Sequence, residues 1–111
     1  MTDEQRAHAR RPMAHDLVVE DLHTEKVLGS LVNLSEEGMM LLMDEPIEPA
    51  RVIQCRIRLN EPCEGIAELA LGVESLWCQP TDEPGHFWAG YQIIDISDET
   101  AAILDKVLGR A

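Results

Sequence analysis

One segment, in which apolar residues alternate with mostly polar ones, constrains the fold of this chain more than any other feature. In RVIQCRIRL (51–59), one face carries Ile53, Cys55, Ile57 and Leu59. A period of two residues is typical of a strand that buries one of its faces. The segment therefore predicts a half-buried β-strand.

Five further segments of β-type composition lie at short intervals along the chain, separated by turn signals such as HTE, DEPIEP, NEPCEG and TDEPG. They comprise residues 15–22, 26–34, 38–43, 66–79 and 86–96. The front half of 66–79 is also compatible with a helix; as a strand it places on one face Ala67, Leu69, Leu71, Val73, Ser75 and Trp77. Six strands without helices between them favour an antiparallel barrel or a sandwich.

The pattern changes after Ser97, where apolar residues recur at helical spacing. The apolar stripe consists of Ile103, Leu104, Val107 and Leu108. Ser97 is suited to the N-cap, and Gly109 to the left-handed C′ position. We therefore expect a C-terminal helix at about residues 97–108 that closes or covers the strands.

Size and composition indicate one soluble globular domain. The chain has 111 residues, of which 45% are apolar and 27% charged. It has no apolar run near the roughly 20 residues that span a bilayer, and its first residues lack the apolar stretch of a signal peptide. We expect a cytoplasmic protein without membrane insertion, a monomer or weak dimer. The cysteines Cys55, Cys63 and Cys78 fit reduced structural thiols.

The charge distribution limits the possible partners. The net charge is −12, from 21 acidic residues against nine Lys and Arg, which argues against DNA or RNA as partners. Arg6, Arg10 and Arg11 nevertheless lie close together near the N-terminus. We expect residues 1–12 to form a flexible basic arm, and residues 13–111 to form the folded domain.

The break between the second and third predicted strands has polar residues at a fixed spacing. In LVNLSEEGMML (31–41), the pattern is Asn33-x-Ser35-x-x-Gly38. Asn33 has both a hydrogen-bond donor and an acceptor, and Ser35 has a hydroxyl, so these side chains could also hold a ligand. Gly38 can adopt a positive φ and permit close approach. Alternatively, Asn33 and Ser35 are turn formers that bond to their own backbone.

Together these features resemble the PilZ domain family, bacterial proteins with a six-stranded β-barrel and a C-terminal helix whose members commonly bind cyclic di-GMP. The family has R-x-x-x-R before its first strand and [D/N]-x-S-x-x-G after its second, and this chain has RAHAR (6–10) and NLSEEG (33–38). GYQIIDIS (90–97) is similar to the family's last strand, except that Ile93 stands where many members carry Phe. The resemblance covers about residues 6–108. It implies a six-stranded antiparallel β-barrel plus a C-terminal α-helix.

The resemblance also implies a ligand site. Cyclic di-GMP would be bound by Arg6 and Arg10 of the arm and by Asn33, Ser35 and Gly38 of the turn. An arginine fork can donate to guanine O6 and N7, pair with a phosphate, or stack on a purine, which suits this ligand.

Two further residues have two interpretations each. Arg11 is either an additional phosphate partner or solvated, and Trp77 either stacks on a base or lies in the core or an interface. We expect no metal and no cofactor apart from the ligand, because the histidines lack metal-ligand spacing. No nucleophile motif accompanies the acidic residues, which argues against an enzyme.

We therefore expect a non-enzymatic effector that senses cyclic di-GMP and relays the signal to a protein partner in trans, in motility or biofilm formation. The alternative is a PilZ-like adaptor that works through protein contacts in pilus assembly or motility and binds no nucleotide.

Overall fold

The computed structural model describes residues 11–110, and the side chains of residues 17–109. Its elements are β1 (Arg11–Asp21), β2 (Val27–Leu34), β3 (Gly38–Met43), β4 (Val52–Cys63), β5 (Ile66–Pro80), β6 (Phe87–Asp95) and α1 (Asp98–Arg110). The predicted order of six strands and one helix is confirmed. β1 begins at residue 11 rather than 15, and β4 ends at residue 63 rather than 59. The turn signal NEPCEG (60–65) overlaps the end of β4, because the missing N–H of Pro62 is tolerated near the end of a strand.

The strands form a closed antiparallel barrel in the order β1-β2-β3-β6-β5-β4. Closure comes from the pairing of β1 with β4, in which Val19 lies opposite Ile57. This pairing decides between the barrel and the sandwich that the strand pattern alone left open. It also covers the edges of β1 and β4, since paired edges cannot recruit another strand.

Alternate side chains of the strands fill the interior of the barrel. Ile53, Cys55 and Ile57 are buried as their alternation predicted. Tyr91 is also buried, and its hydroxyl donates to Sδ of Met43 at 3.1 Å. Burial raises the pKa of the Tyr91 hydroxyl above its usual range, so the group remains a neutral donor inside the barrel.

The predicted inner face of β5 is correct only in its middle. Leu69, Leu71, Val73 and Ser75 are buried, whereas Ala67 and Trp77 are exposed. The register of β5 against β6 shifts between Ser75 and Trp77. A shift of one residue sends the following side chain to the opposite face, and the placement of Trp77 on the inner face was therefore wrong.

Helix α1 packs against β5 and β4. Its residues Ile103 and Leu104 are buried, as the apolar stripe predicted. Oγ of Ser97 accepts the N–H of Thr100 at 3.0 Å, which confirms Ser97 as the N-cap. Gly109 lies inside the helix, which continues to residue 110. The φ of Gly109 lies outside the left-handed region, so its predicted C′ position is wrong.

The three cysteines are free thiols, and those of Cys55 and Cys63 are buried. Burial, with a smaller contribution from the charge of Asp21, raises the pKa of Cys55 to about 12. This thiol therefore stays protonated at neutral pH and packs as a small apolar group. In the part of the chain that the structure describes, no helix is long and apolar enough to cross a membrane.

Candidate ligand-binding site

The turn between β2 and β3 is built around the side chain of Ser35, which is only 3% exposed. Its Oγ accepts the N–H groups of Glu37 at 3.3 Å and Gly38 at 3.2 Å. Its hydroxyl donates to the carbonyl oxygen of Gly38 at 3.3 Å. A hydroxyl has one donor and two acceptor positions, so all three are used inside the turn. These are the contacts of a turn former, and a contact between Ser35 and a ligand remains a prediction.

Gly38 is explained by close packing between strands and not by its φ. The φ of Gly38 lies outside the left-handed region, so the expected positive φ is not observed. A Cβ at position 38 would overlap the carbonyl oxygen of Tyr91 on β6. Next to this contact, the N–H of Ile93 donates to the carbonyl oxygen of Glu37 at 2.8 Å. The turn is thereby fastened to β6.

Asn33 lies in a row of paired residues that crosses the outer face of the barrel. The register pairs Asn33 with Met40, Met40 with Gly90, and Gly90 with Trp77. On its other side Asn33 is paired with Pro12 of β1. Paired residues of neighbouring strands point to the same face. With strands about 4.8 Å apart, Asn33 and Trp77 share one surface at a separation of roughly 14 Å.

Trp77 lies against Gly90 on this surface. A Cβ at position 90 would overlap Nε1 and Cε2 of the indole, so the ring occupies space that any other residue would need. Trp77 remains 38% exposed and can stack on a planar group from solvent. Sequence analysis did not identify Gly90, although a glycine inside a strand is a signal of close approach.

The arm joins the barrel beside the turn. Arg6 and Arg10 lie outside the described residues, as does the side chain of Arg11. The backbone of Arg11 pairs with Leu34, which lies inside the motif 33–38. The described backbone thus places Arg11, the residue that directly follows the first motif in the sequence, beside the second motif.

Much of the positive charge on the barrel is paired. The side chains described, 17–109, include five Lys and Arg residues, and three of them bond to carboxylates. Oε1 of Glu20 accepts from Nε of Arg56 at 2.7 Å and from Nε of Arg58 at 3.1 Å. Nζ of Lys106 donates to Oε2 of Glu64 at 2.6 Å. The barrel itself therefore offers little free positive charge to an anion.

Ser75 is a further buried polar residue, and it has a structural role. Its hydroxyl donates to the carbonyl oxygen of Glu48 at 2.6 Å and its Oγ accepts the N–H of Arg51 at 2.9 Å. These bonds hold the loop between β3 and β4 against β5. Among the described residues, no three His, Cys, Asp or Glu side chains are grouped as metal ligands would be.

Comparisons with known proteins agree with the fold. The profile of the PilZ domain family matches residues 4–109. The inhibitor of motility (MotI/DgrA) of Bacillus subtilis is similar with a TM-score of 0.72 and 15% identity, over 96% of this chain and 50% of that chain. The PilZ domain of YcgR from Escherichia coli, solved with cyclic di-GMP, is similar with a TM-score of 0.68 and 13% identity, over 93% of this chain and 88% of that one.

The extent of these matches differs. This chain spans half the length of the inhibitor of motility but most of the PilZ domain of YcgR. Comparison with curated proteins gave no significant sequence match. The structural similarities therefore concern the barrel and its helix.

Proposed function

The chain belongs to the PilZ domain family, and we propose that it is a cytoplasmic, non-enzymatic receptor for cyclic di-GMP that relays the signal to a protein partner. One observation carries the proposal. The backbone of Arg11, the residue that directly follows the segment bearing Arg6 and Arg10, pairs with Leu34 inside the motif 33–38. The groups suited to the phosphates and bases of one ligand thus belong to adjoining pieces of chain.

Covalent geometry allows this arm to reach the turn. Arg10 is bonded directly to Arg11, and Arg6 is five residues before it. An extended chain advances about 3.3–3.6 Å per residue, so Arg6 can lie up to roughly 18 Å from Arg11. Both guanidinium groups can therefore meet a ligand placed on the turn.

The distribution of charge supports a role for the arm. A dianionic ligand at the turn would lie close to the exposed carboxylates of Glu36 and Glu37. Arg6, Arg10 and Arg11 supply three of the nine basic residues of the chain, whereas most described cations on the barrel are already paired. The arm is thus the main source of compensating charge, and Arg11 is a candidate for a phosphate contact.

The residues of the turn and of its outer row would have different roles. Asn33 would present its amide to a guanine edge, and Trp77 would offer a stacking surface at the far end of the row. Ser35 and Gly38 would shape the turn and fix it to β6. A direct bond from the Ser35 hydroxyl to the ligand would require one of its present bonds in the turn to open.

The solved neighbours support the class of ligand and the process. The PilZ domain of YcgR was solved with cyclic di-GMP, and the neighbour from Bacillus subtilis is named an inhibitor of motility. By analogy in fold, we assign the present chain to second-messenger control of motility or biofilm formation, as a monomer or weak dimer.

Titration calorimetry with cyclic di-GMP tests this proposal. If Arg10 makes a bidentate contact to guanine, Arg10→Ala should weaken binding roughly 5- to 150-fold, or about 1–3 kcal/mol. Circular dichroism should show a folded barrel. Lys26→Ala is the control, because it removes one positive charge at the other end of β2. The molar ratio at the equivalence point of the titration also distinguishes one bound ligand from an intercalated pair.

Two results would contradict the proposal. An unchanged dissociation constant in Arg10→Ala would remove the assigned arginine contact. Absence of binding by the folded, unmodified chain would favour the alternative, an adaptor that works through protein contacts and binds no nucleotide.

A further inference from the structure

A second surface feature lies on the same outer face as Asn33 and Trp77. It is a groove of about 480 Å³, within the range of about 300–1,000 Å³ common for ligand pockets. Leu42 and Trp88, which are paired across β3 and β6, contribute the sheet surface of the groove. Residues 79–83 contribute its wall. Gln79, two residues after Trp77 on β5, lines the groove. The groove therefore borders the row that contains Trp77.

The wall of the groove is held in shape by its own hydrogen bonds. The N–H of Thr81 donates to the carbonyl oxygen of His86 at 3.0 Å. Oγ1 of Thr81 donates to the carbonyl oxygen of Glu83 and accepts its N–H, both at 3.0 Å. Gly85 has a φ of +83°, which the reversal of the chain requires. A loop fixed in this way loses little conformational freedom when it binds a partner.

The edge of the groove is acidic. Asp82 and Glu83 line it, and Asp44, the residue after β3, lies close to the lining residue His86. His86 stands between them, with Nδ1 at 3.6 Å from Oε1 of Glu83 and Nε2 at 3.8 Å from Oδ1 of Asp44. The residues that line the groove include no Lys or Arg. An anionic ligand such as cyclic di-GMP would be repelled by these carboxylates. The groove therefore favours a positively charged occupant.

We infer that the groove binds an arginine or lysine side chain of a basic segment on a partner protein. The aliphatic stem of such a side chain would pack on Leu42, and its cation would lie over the indole of Trp88. The carboxylates of Asp82 and Glu83 would complete the contact.

The charge of the whole molecule favours the same occupant. A net charge of −12 attracts basic partners over long distances and repels acidic ones. The inference rests on the proposed relay to a protein partner and deepens it, but it does not depend on ligand binding at the turn.

Nuclear magnetic resonance of the full chain, labelled with ¹⁵N, tests the inference. The probe is a capped pentapeptide with one central arginine between glycine and serine residues. Its control carries citrulline, which has the shape of arginine without the charge. Trp77→Phe assigns the two indole N–H signals. We expect a saturable shift of the Trp88 indole, half complete at a peptide concentration on the order of millimolar, and no shift with citrulline.

Matched variants locate the contact. Glu83→Gln should weaken peptide binding about three- to tenfold, whereas Glu61→Gln, an equal change of charge near the opposite end of β5, should not. Both side chains are exposed, so both variants should fold and keep their affinity for cyclic di-GMP. If the chain bound the peptide but not cyclic di-GMP, the result would support this inference and contradict the proposed receptor function.

Three results would overturn the inference. The first is no shift of the Trp88 indole at any peptide concentration, and the second is an equal shift with the citrulline peptide. The third is a shift of the same signal in Arg10→Ala without peptide, which would identify the chain's own N-terminal segment as the occupant in place of a partner.

Discussion

The hydroxyl of Ser35 illustrates how one side chain can hold a turn in shape without facing solvent. It is 3% exposed and bonds to the backbone of both Glu37 and Gly38. Gly38 in turn lies so close to Tyr91 that a Cβ would overlap its carbonyl oxygen. Both residues therefore position Asn33 by fixing the backbone around it. Replacement of either should lower the free energy of unfolding.

Two serine substitutions distinguish this structural role from a direct contact with the ligand. Ser35→Ala leaves two backbone N–H groups of the turn without their acceptor, so we expect the free energy of unfolding to fall by about 1–3 kcal/mol. Ser30→Ala, on the half-buried face of β2, should change it by less than about 0.5 kcal/mol. Urea unfolding measures both. Full stability of Ser35→Ala with lost affinity for cyclic di-GMP would instead show that the hydroxyl serves the ligand.

At the scale of the elements, the closing pair β1–β4 carries a charged cluster on its outer side. Glu20 lies opposite Arg56 in the register and its Oε1 bonds to Arg56 and Arg58. The bond from Arg56 is the largest cause that holds the pKa of the Glu20 carboxyl below its usual range. Burial, the second-largest effect, opposes this lowering, and the bond from Arg58 and the charges of both arginines add to it. Because both arginines belong to β4, the carboxylate links the two strands that close the barrel.

This lowered pKa predicts a pH dependence of stability. The unfolded chain binds a proton at Glu20 more readily than the folded chain does, so the contribution of Glu20 is present above the usual pKa of a glutamate and is lost as the pH falls through the lower, folded value. Urea unfolding of Glu20→Gln and of the unmodified chain should therefore differ at neutral pH and converge in acid. Glu61→Gln is the control. A difference that stayed constant with pH would show that the ion pairs do not contribute.

The sequence predicted the features of these elements that depend on local pattern, but not those that depend on pairing between distant strands. The alternation in β4 and the stripe of α1 are properties of short segments, and both predicted which side faces the core, with Leu59, Val107 and Leu108 half-buried against it. The closure of β1 on β4 and the register shift that turns Trp77 outward depend on residues far apart in the chain. A period of two cannot reveal them, because it does not record which strand lies alongside.

At the scale of the whole molecule, the candidate site shows the same division. Asn33, Ser35 and Gly38 were found from their spacing, but the need for glycine at position 38 comes from Tyr91, which is 53 positions later. The groove near Trp88 is formed by β3 together with the loop between β5 and β6. No sequence motif indicated this groove. Only the folded barrel brings these segments to one face.

The overall charge leads to a prediction about salt. A dianionic ligand that approaches a chain of net charge −12 meets long-range repulsion, whereas the arginines of the arm attract it at short distances where salt screens less. Added salt weakens the attraction but also relieves the repulsion. We therefore expect the affinity for cyclic di-GMP to fall only shallowly from low to moderate ionic strength, in contrast to proteins that hold a nucleic-acid backbone through many cations. Titration calorimetry over that range is the measurement. A fall of several orders of magnitude would require more positive groups around the ligand than Arg6, Arg10 and Arg11 supply, and would contradict the site proposed for this chain.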